Sequence, residues 1–138
     1  MSRMQHKLRH IAIGVPDLVQ AQKFFEDAFG MTKAGTTAKG NIYMTDGVMN
    51  VALLKVEKGA GSSEEPSSRI LHYGMWVDDL DQAEEQVRQA GATLLQARPA
   101  DTAVTGSYEV KFRDPTGLVF DLTQGGWLGA VKNVKAAD

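Results

Sequence analysis

Residues 10–18 read HIAIGVPDL, and residues 72–80 read HYGMWVDDL. The two stretches open an internal repeat, because seven of 19 positions are identical when residues 10–28 are laid over residues 72–90. A copied supersecondary unit that stacks on itself predicts a domain with pseudo-twofold symmetry. The identical pairs are His10/His72, Val15/Val77, Asp17/Asp79, Leu18/Leu80, Gln20/Gln82, Ala21/Ala83 and Ala28/Ala90.

Each copy predicts a strand followed by a helix. In copy one, the apolar run from Leu8 to Val15 is rich in β-branched residues, which favours a strand. An aspartate then precedes apolar residues at helical spacing, with a glutamine three residues after it, which is typical of a helix N-cap. The predicted caps are Asp17 and Asp79, and the predicted helix stops are Gly30 and Gly91.

After each helix the apolar pattern changes to a period of two, which predicts three further strands in each copy. The fold class is therefore α+β, with two βαβββ modules forming a cupped, partly closed mixed sheet that carries its helices on the outside. The predicted strands are 31–37, 41–45 and 48–56 in copy one, and 92–96, 108–113 and 118–123 in copy two.

We expect a single domain over residues 1–138, since this length is typical of one compact core. Module one spans 8–56 and module two spans 70–124. A Gly-, Ser- and Glu-rich linker, 57–69, joins the modules, and a polar loop covers 97–107. The C-terminal tail, 125–138, is expected to pack through Trp127.

Composition excludes several classes of protein. The chain has 15 basic and 17 acidic residues, a net charge of −2 and no basic run, so nucleic acid is not an expected partner. No apolar stretch has the length of a membrane span or a signal peptide, so we expect a cytoplasmic protein without membrane contact. There is no cysteine, so a metal site must use imidazole, carboxylate, amide or water.

Strand alternation suggests where such a site would lie. His10 shares a face of its strand with Ala12 and Gly14, and His72 shares one with Gly74. These small neighbours leave room for a ligand, whereas the residues between them are bulky and suit packing against helices. One histidine alone is more often a core residue, but two at the same position of two copies favour a metal site.

Alternation also turns Asp121 and Asn50 to the histidine face of the terminal strands. A buried carboxylate or amide in an apolar strand needs a partner. Asp121 has the alternative of facing solvent from an edge strand, and Asn50 that of hydrogen bonding to an adjacent turn. His6, the third histidine, is expected in solvent.

These stretches, together with FRDPTGLVFDL at 112–122, resemble the vicinal-oxygen-chelate superfamily. That group includes glyoxalase I, methylmalonyl-CoA epimerase, extradiol dioxygenases and the bleomycin and fosfomycin resistance proteins. The resemblance implies one divalent ion, Fe, Mn, Ni, Co or Zn, and a homodimer. Asp121 stands where a glutamate is commoner, and Asn50 where a glutamate or glutamine is found. The metal ligands that the resemblance implies are His10, Asn50, His72 and Asp121.

The resemblance leaves three functions open. The first is an isomerase or lyase that acts on a small substrate with vicinal oxygens through a metal-stabilised enediolate, with Asp121 as the catalytic base. The second is an Fe(II)-dependent extradiol-type dioxygenase. The third is a small-molecule binding or resistance protein. Glutathione is not implied as a substrate, because Gly14 replaces the arginine that would bind its carboxylate. Aromatic residues for the third function are Tyr43, Tyr73, Trp76 and Tyr108.

Overall fold

The computed structural model describes residues 4–56, 68–98 and 109–135. Most of the expected linker, most of the polar loop at 97–107, and Tyr108 therefore lie outside the described residues. The chain divides into two compact units. The module-one unit comprises His10–Leu71 and Trp127–Asp138, and the module-two unit comprises Met1–Arg9 and His72–Gly126.

Module one has the predicted order of strand, helix and three strands. Its strands are arranged β2-β3-β4-β1, with β1 parallel to β4 and the other pairs antiparallel. Its elements are β1 (Lys7–Val15), α1 (Leu18–Phe29), β2 (Thr32–Thr36), β3 (Ile42–Thr45) and β4 (Asn50–Lys55).

Module two repeats this arrangement. Its strand order is β5-β8-β7-β6, and β5 is parallel to β8. The prediction of two βαβββ modules is therefore confirmed. The elements are β5 (Arg69–Trp76), α2 (Leu80–Gln89), β6 (Thr93–Gln96), β7 (Val110–Arg113) and β8 (Val119–Thr123).

Both helices begin at the predicted caps. The carboxylate of Asp17 accepts a hydrogen bond from the backbone N–H of Gln20 at 3.0 Å, and that of Asp79 accepts one from Gln82 at 3.1 Å. Each bond satisfies a backbone donor that has no partner within the helix. Helix α1 stops at Gly30, which is left-handed with a φ of 67°. Neither helix is long and apolar enough to cross a membrane.

The hydrophobic cores confirm the predicted alternation of the strands. In module two, Phe120 and Leu122 of β8 pack into a core with α2, and in module one Leu53 of β4 packs into a core with Met44. Since side chains alternate across a strand, Asp121 and Asn50 project from the opposite face of their strands. The apolar pattern thus determines where the polar residues point.

Gly126 packs closely against the ring of Trp76 in module two. Its φ is 79°, and an added Cβ would lie 2.3 Å from the Trp76 ring. Gly126→Ala should therefore lower the free energy of unfolding by about 2–4 kcal/mol in urea unfolding. Gly40 has a similar φ of 86° but nothing within 4 Å of the added carbon. Gly40→Ala should cost only about 1 kcal/mol, and equal losses would contradict the close approach.

Candidate metal centre

The module-two unit brings together His72 of β5 and Asp121 of β8. His72 Nε2 lies 3.0 Å from Asp121 Oδ2, and the Asp121 side chain has no solvent exposure. Gly74 is the residue of β5 that pairs with Asp121. The small residue predicted beside the histidine therefore lies next to the carboxylate, where a larger side chain would take up space.

Lys111 holds the other oxygen of this carboxylate. It lies directly opposite Asp121 on β7, and its Nζ donates to Oδ1 at 2.6 Å. Burial alone would raise the pKa of Asp121, but hydrogen bonds with His72, Glu109 and Lys111 lower it to about 2. Asp121 is therefore a carboxylate at neutral pH, with one oxygen toward the lysine and one toward the imidazole.

The module-one unit brings together His10 of β1 and Asn50 of β4, which are direct partners in the parallel pair. Both are buried, at 3% and 0% exposure. His10 Nδ1 and Asn50 Oδ1 are 2.7 Å apart, and Asn50 Nδ2 donates to the Leu128 carbonyl at 2.8 Å. Because that carbonyl can only accept, the amide must turn its oxygen to the imidazole.

This orientation of the amide determines the tautomer of His10. An amide oxygen has no proton to give, so the hydrogen of the contact belongs to Nδ1 of His10. In the neutral ring the lone pair is then on Nε2, the nitrogen that would bind a metal. A metal-binding histidine is usually oriented in this way, through its second ring nitrogen.

The C-terminal tail covers the histidine face of module one. Trp127 stacks on His10 with the ring centroids 4.6 Å apart and the planes 8° from parallel. Thr45 Oγ1 donates to the Gly129 carbonyl at 2.7 Å, and the Val131 N–H donates to the Val48 carbonyl at 2.9 Å. The tail therefore packs through Trp127 as expected, and its target is the imidazole.

Asn50 and Asp121 do not occupy equivalent positions in the two modules, as the strand register shows. The repeat equates Gly74, the partner of Asp121, with Ala12, and the partner of Ala12 is Ala52. Ala52 is thus the counterpart of Asp121, and it offers no ligand atom. Asn50 lies two residues earlier on the same face and is hydrogen bonded to His10. Direct ligation by Asn50 stays a prediction, while the observed contact makes it the partner that orients His10.

The other residues singled out from the sequence take different positions. Tyr73 lies on the outer, helix-facing side of β5 and donates to Asp114 Oδ2 at 3.1 Å. Trp76 donates its indole N–H to the Gln124 carbonyl at 3.0 Å. The expectation that His6 is solvated is wrong, because both of its ring nitrogens are buried.

Comparison with known protein families agrees with this geometry. Residues 9–112 match the family described as the glyoxalase/bleomycin resistance protein/dioxygenase superfamily. The chain belongs to this superfamily. The resemblance found in the sequence is thereby confirmed. The superfamily joins proteins of different activity, so membership leaves the reaction open. No curated protein matches the sequence.

Solved structures agree with this fold. A 2,3-dioxygenase, LapB from Pseudomonas sp. KL28, is 17% identical with a TM-score of 0.67, over 93% of this chain and 44% of its own. The Mn(II)-bound glyoxalase from Novosphingobium aromaticivorans is 24% identical with a TM-score of 0.67, over 98% and 44%. Methylmalonyl-CoA epimerase from Mycobacterium tuberculosis is 18% identical with a TM-score of 0.63, over 89% and 91%. The chain thus spans less than half the length of the first two proteins.

The contact between Asn50 and His10 can be tested directly. Asn50→Leu removes the acceptor for the Nδ1 hydrogen, so the free energy of unfolding should fall by about 1–3 kcal/mol. The ¹⁵N shifts of the His10 ring should also move away from the pure Nδ1–H form. Asn133→Leu, at an exposed position, is the matched control and should change neither quantity. An unaltered tautomer in Asn50→Leu would contradict the assigned hydrogen bond.

Lys111 should weaken cation binding by Asp121 while stabilising the metal-free protein. Lys111→Met leaves the buried carboxylate without its ammonium partner, so the metal-free protein should lose about 1–3 kcal/mol of stability. The affinity for Mn(II) should rise about tenfold, because a neighbouring positive charge is removed. Chemical unfolding and Mn(II) titration measure the two effects. Lys55→Met, at an exposed position of β4, is the control, and a loss of Mn(II) affinity in Lys111→Met would refute this role.

Proposed function

We propose that this chain is a divalent-metal-dependent, glyoxalase-like enzyme of the isomerase or lyase type, acting on a small substrate with vicinal oxygens. The observation that carries the proposal is the pairing of a charged, fully buried Asp121 with His72 in an apolar strand environment. A buried charge needs compensating partners, and carboxylates with strongly shifted pKa values of this kind are concentrated at functional sites. Superfamily membership makes the metal-dependent interpretation the natural one.

The proposed ligands are His10, His72 and Asp121. Two ligand atoms at about 2.1 Å from one ion and at right angles to each other are about 3.0 Å apart. The distance between His72 Nε2 and Asp121 Oδ2 is 3.0 Å, so these two atoms suit neighbouring positions on one metal. His10 would contribute Nε2, the nitrogen that carries the lone pair in its tautomer.

Two residues would position the His10 ring. Asn50 fixes the rotation of the ring through Nδ1, and Trp127 fixes its plane through the stack. An imidazole that is already oriented loses little side-chain entropy when it binds a metal. Asn50 therefore supports the ligand set whether or not its own oxygen reaches the metal.

The proposed reaction would need a Lewis acid and a group that accepts a proton from the substrate. A bound divalent ion supplies a Lewis acid that polarises two adjacent substrate oxygens. Removal of a proton beside a carbonyl needs a base within hydrogen-bond reach, and Asp121 is the carboxylate that we propose for it. Its contacts with His72, Glu109 and Lys111 lower the pKa of this carboxylate, which keeps it deprotonated at neutral pH and makes it a weaker base.

Glutathione adducts are not the substrate we propose. Gly14 has no side chain to bind a carboxylate, and an added Cβ there would lie 2.6 Å from Val56 Cγ1. A larger residue at this position would require the side chain of Val56 to move. The substrate class is therefore a small hydroxyketone, thioester or similar compound with two adjacent oxygens.

Metal binding is the first test. Protein purified without chelators should contain one divalent ion per chain by elemental analysis, and His10→Ala or His72→Ala should weaken Mn(II) binding at least a hundredfold. His6→Ala is the matched control and should leave the affinity unchanged. Absence of Fe, Mn, Co, Ni and Zn, together with no Mn(II) binding, would refute the proposal.

The expected homodimer allows a site to be formed from one chain or from two. Mixing His10→Ala with His72→Ala distinguishes the arrangements, since a shared site would recover half of its Mn(II) capacity in mixed dimers. A site within one chain would recover none. Light scattering of the same samples reports whether dimers form at all.

The reaction itself should appear as exchange of a substrate proton. Metal-loaded protein in D₂O should incorporate deuterium beside the carbonyl of a hydroxyketone, thioester or hemithioacetal, as measured by NMR. Asp121→Asn should abolish the exchange, while Asp46→Asn, on an exposed turn, should preserve it. No exchange with any compound of the panel would contradict an isomerase or lyase.

An Fe(II)-dependent extradiol dioxygenase is the second candidate. Two histidines and one carboxylate are also the ligand set of non-haem Fe(II) oxygenases. The structural similarity to the 2,3-dioxygenase LapB supports it. The Fe(II) protein would then consume O₂ with catechols, and His72→Ala would not. Proton exchange without O₂ consumption favours the first candidate.

A further inference from the structure

A cavity of about 270 Å³ lies on the side of the module-two sheet that faces α2. Its walls come from the outer side of β5 and β8, from α2, and from the turn between β7 and β8. They are almost wholly apolar. The cavity opens to the protein surface, and its wall includes His6, Tyr73, Met75, Val87, Pro115 and Phe120. Asp121 projects from the other face of β8, so the cavity is separate from the proposed metal ligands.

The internal repeat shows how the two modules differ in one side chain on the helix-facing side of the sheet. The overlay that equates His10 with His72 also equates Phe25 of α1 with Val87 of α2. In module one, the Phe25 ring packs against the core beneath its helix. Val87 lacks this ring, and it lines the cavity of module two. Module one therefore has a larger side chain at this position of its helix, beside a pocket of its own that Ile13 and Phe25 line.

His6 gives the cavity a polar position. Both of its ring nitrogens are buried without a well-formed hydrogen bond among the described residues, and Gln86 is the side chain that interacts with the ring. The neighbouring Gln86 uses its amide N–H on the Met4 carbonyl, at 3.0 Å. Burial lowers the pKa of His6, which favours the neutral ring. Buried ring nitrogens that lack a well-formed hydrogen bond are destabilising, so a hydroxyl in the cavity would gain a hydrogen bond here.

The other polar atoms of the wall already have partners. Tyr73 donates its hydroxyl to Asp114 Oδ2, and Asp114 Oδ1 accepts from Thr116 and Leu118. The Asp114 carboxylate would also repel an anionic ligand. The lining therefore favours a neutral, mainly apolar molecule with one hydrogen-bonding group.

We propose that this cavity is a second ligand site, which binds a small neutral aromatic alcohol with its ring between α2 and the sheet and its hydroxyl on His6. Size supports a single ring, because an apolar cavity of about 150 Å³ is sufficient for benzene. The cavity of about 270 Å³ accommodates a phenol with a short substituent. The neutral imidazole can donate to the hydroxyl or accept from it.

The test uses metal-free full-length protein and two probes of similar shape, 4-ethylphenol and 4-ethyltoluene. Both should bind by ligand-observed NMR and calorimetry, with 4-ethylphenol at least fivefold tighter. Val87→Phe supplies the ring that module one has at this position, so it should abolish binding of both probes and raise the Tm. Val19→Phe makes the same change at an exposed position of α1 and should leave binding unchanged.

Further variants test whether the hydroxyl contacts His6 and whether the probe lies on the helix-facing side of the sheet. His6→Leu should bring the two affinities within twofold of each other, while His72→Ala should preserve the preference for 4-ethylphenol. Undiminished binding to Val87→Phe, or an unchanged preference in His6→Leu, would overturn the proposal. Failure to bind either probe would overturn it as well. None of these results depends on Mn(II) binding, so the two proposed sites can fail independently.

Discussion

A carboxylate without solvent exposure in an apolar strand requires positive charge or hydrogen-bond donors close by, and Asp121 imposes this requirement on module two. Its two oxygens are held from two directions, by Lys111 on the neighbouring antiparallel strand and by His72 on the parallel one. Gly74 leaves the space beside it. The strand order β5-β8-β7 is what makes this possible, because β8 lies between the strands that carry the two partners.

The two modules share a backbone plan but use it differently. Module one orients its histidine with a neutral amide, Asn50, and with the indole of Trp127 from the tail. Module two places its histidine beside the carboxylate of Asp121, which Lys111 also contacts. The helix-facing sides differ as well, because α1 carries Phe25 where α2 carries Val87 at the same position of the repeat. The repeat therefore supplies two equivalent backbone frameworks, and the two modules place different groups around their histidines.

Much of the fold could be predicted from the sequence, because helix caps and the alternation of side chains along a strand depend on residues that are close in sequence. Asp17 and Asp79 can be recognised as caps from the helix that follows each of them. Phe120 and Leu122 can be recognised as core residues from a period of two in their strand. The contact between Lys111 and Asp121 was missed for a definite reason. The predicted strands 108–113 and 118–123 would pair residue 111 with residue 120, whereas β8 begins at Val119 and Lys111 pairs with Asp121. One residue of loop length determines which side chains meet.

Other features were inaccessible because they depend on distant parts of the chain. Asn50 was recognised as needing a partner, but its reach to His10 depends on the parallel register, and its amide orientation depends on the Leu128 carbonyl of the tail. His6 gave no periodic signal, since it precedes the first strand, and its burial results from packing beside Gln86. Local patterns thus locate candidate residues, while hydrogen-bond partners follow from tertiary contacts.

The charges around the proposed centre have a chemical consequence. His10 donates to a neutral amide rather than to a carboxylate, which leaves its imidazole a weaker electron donor than in a carboxylate–histidine pair. Asp121 is the one anionic ligand proposed, and Lys111 already compensates its charge. Both positive charges of a bound divalent ion would then be left to the substrate, which favours ligands that become anionic on binding. A strongly acidic centre of this kind would suit the proposed activation of two adjacent oxygens better than the capture of a neutral molecule.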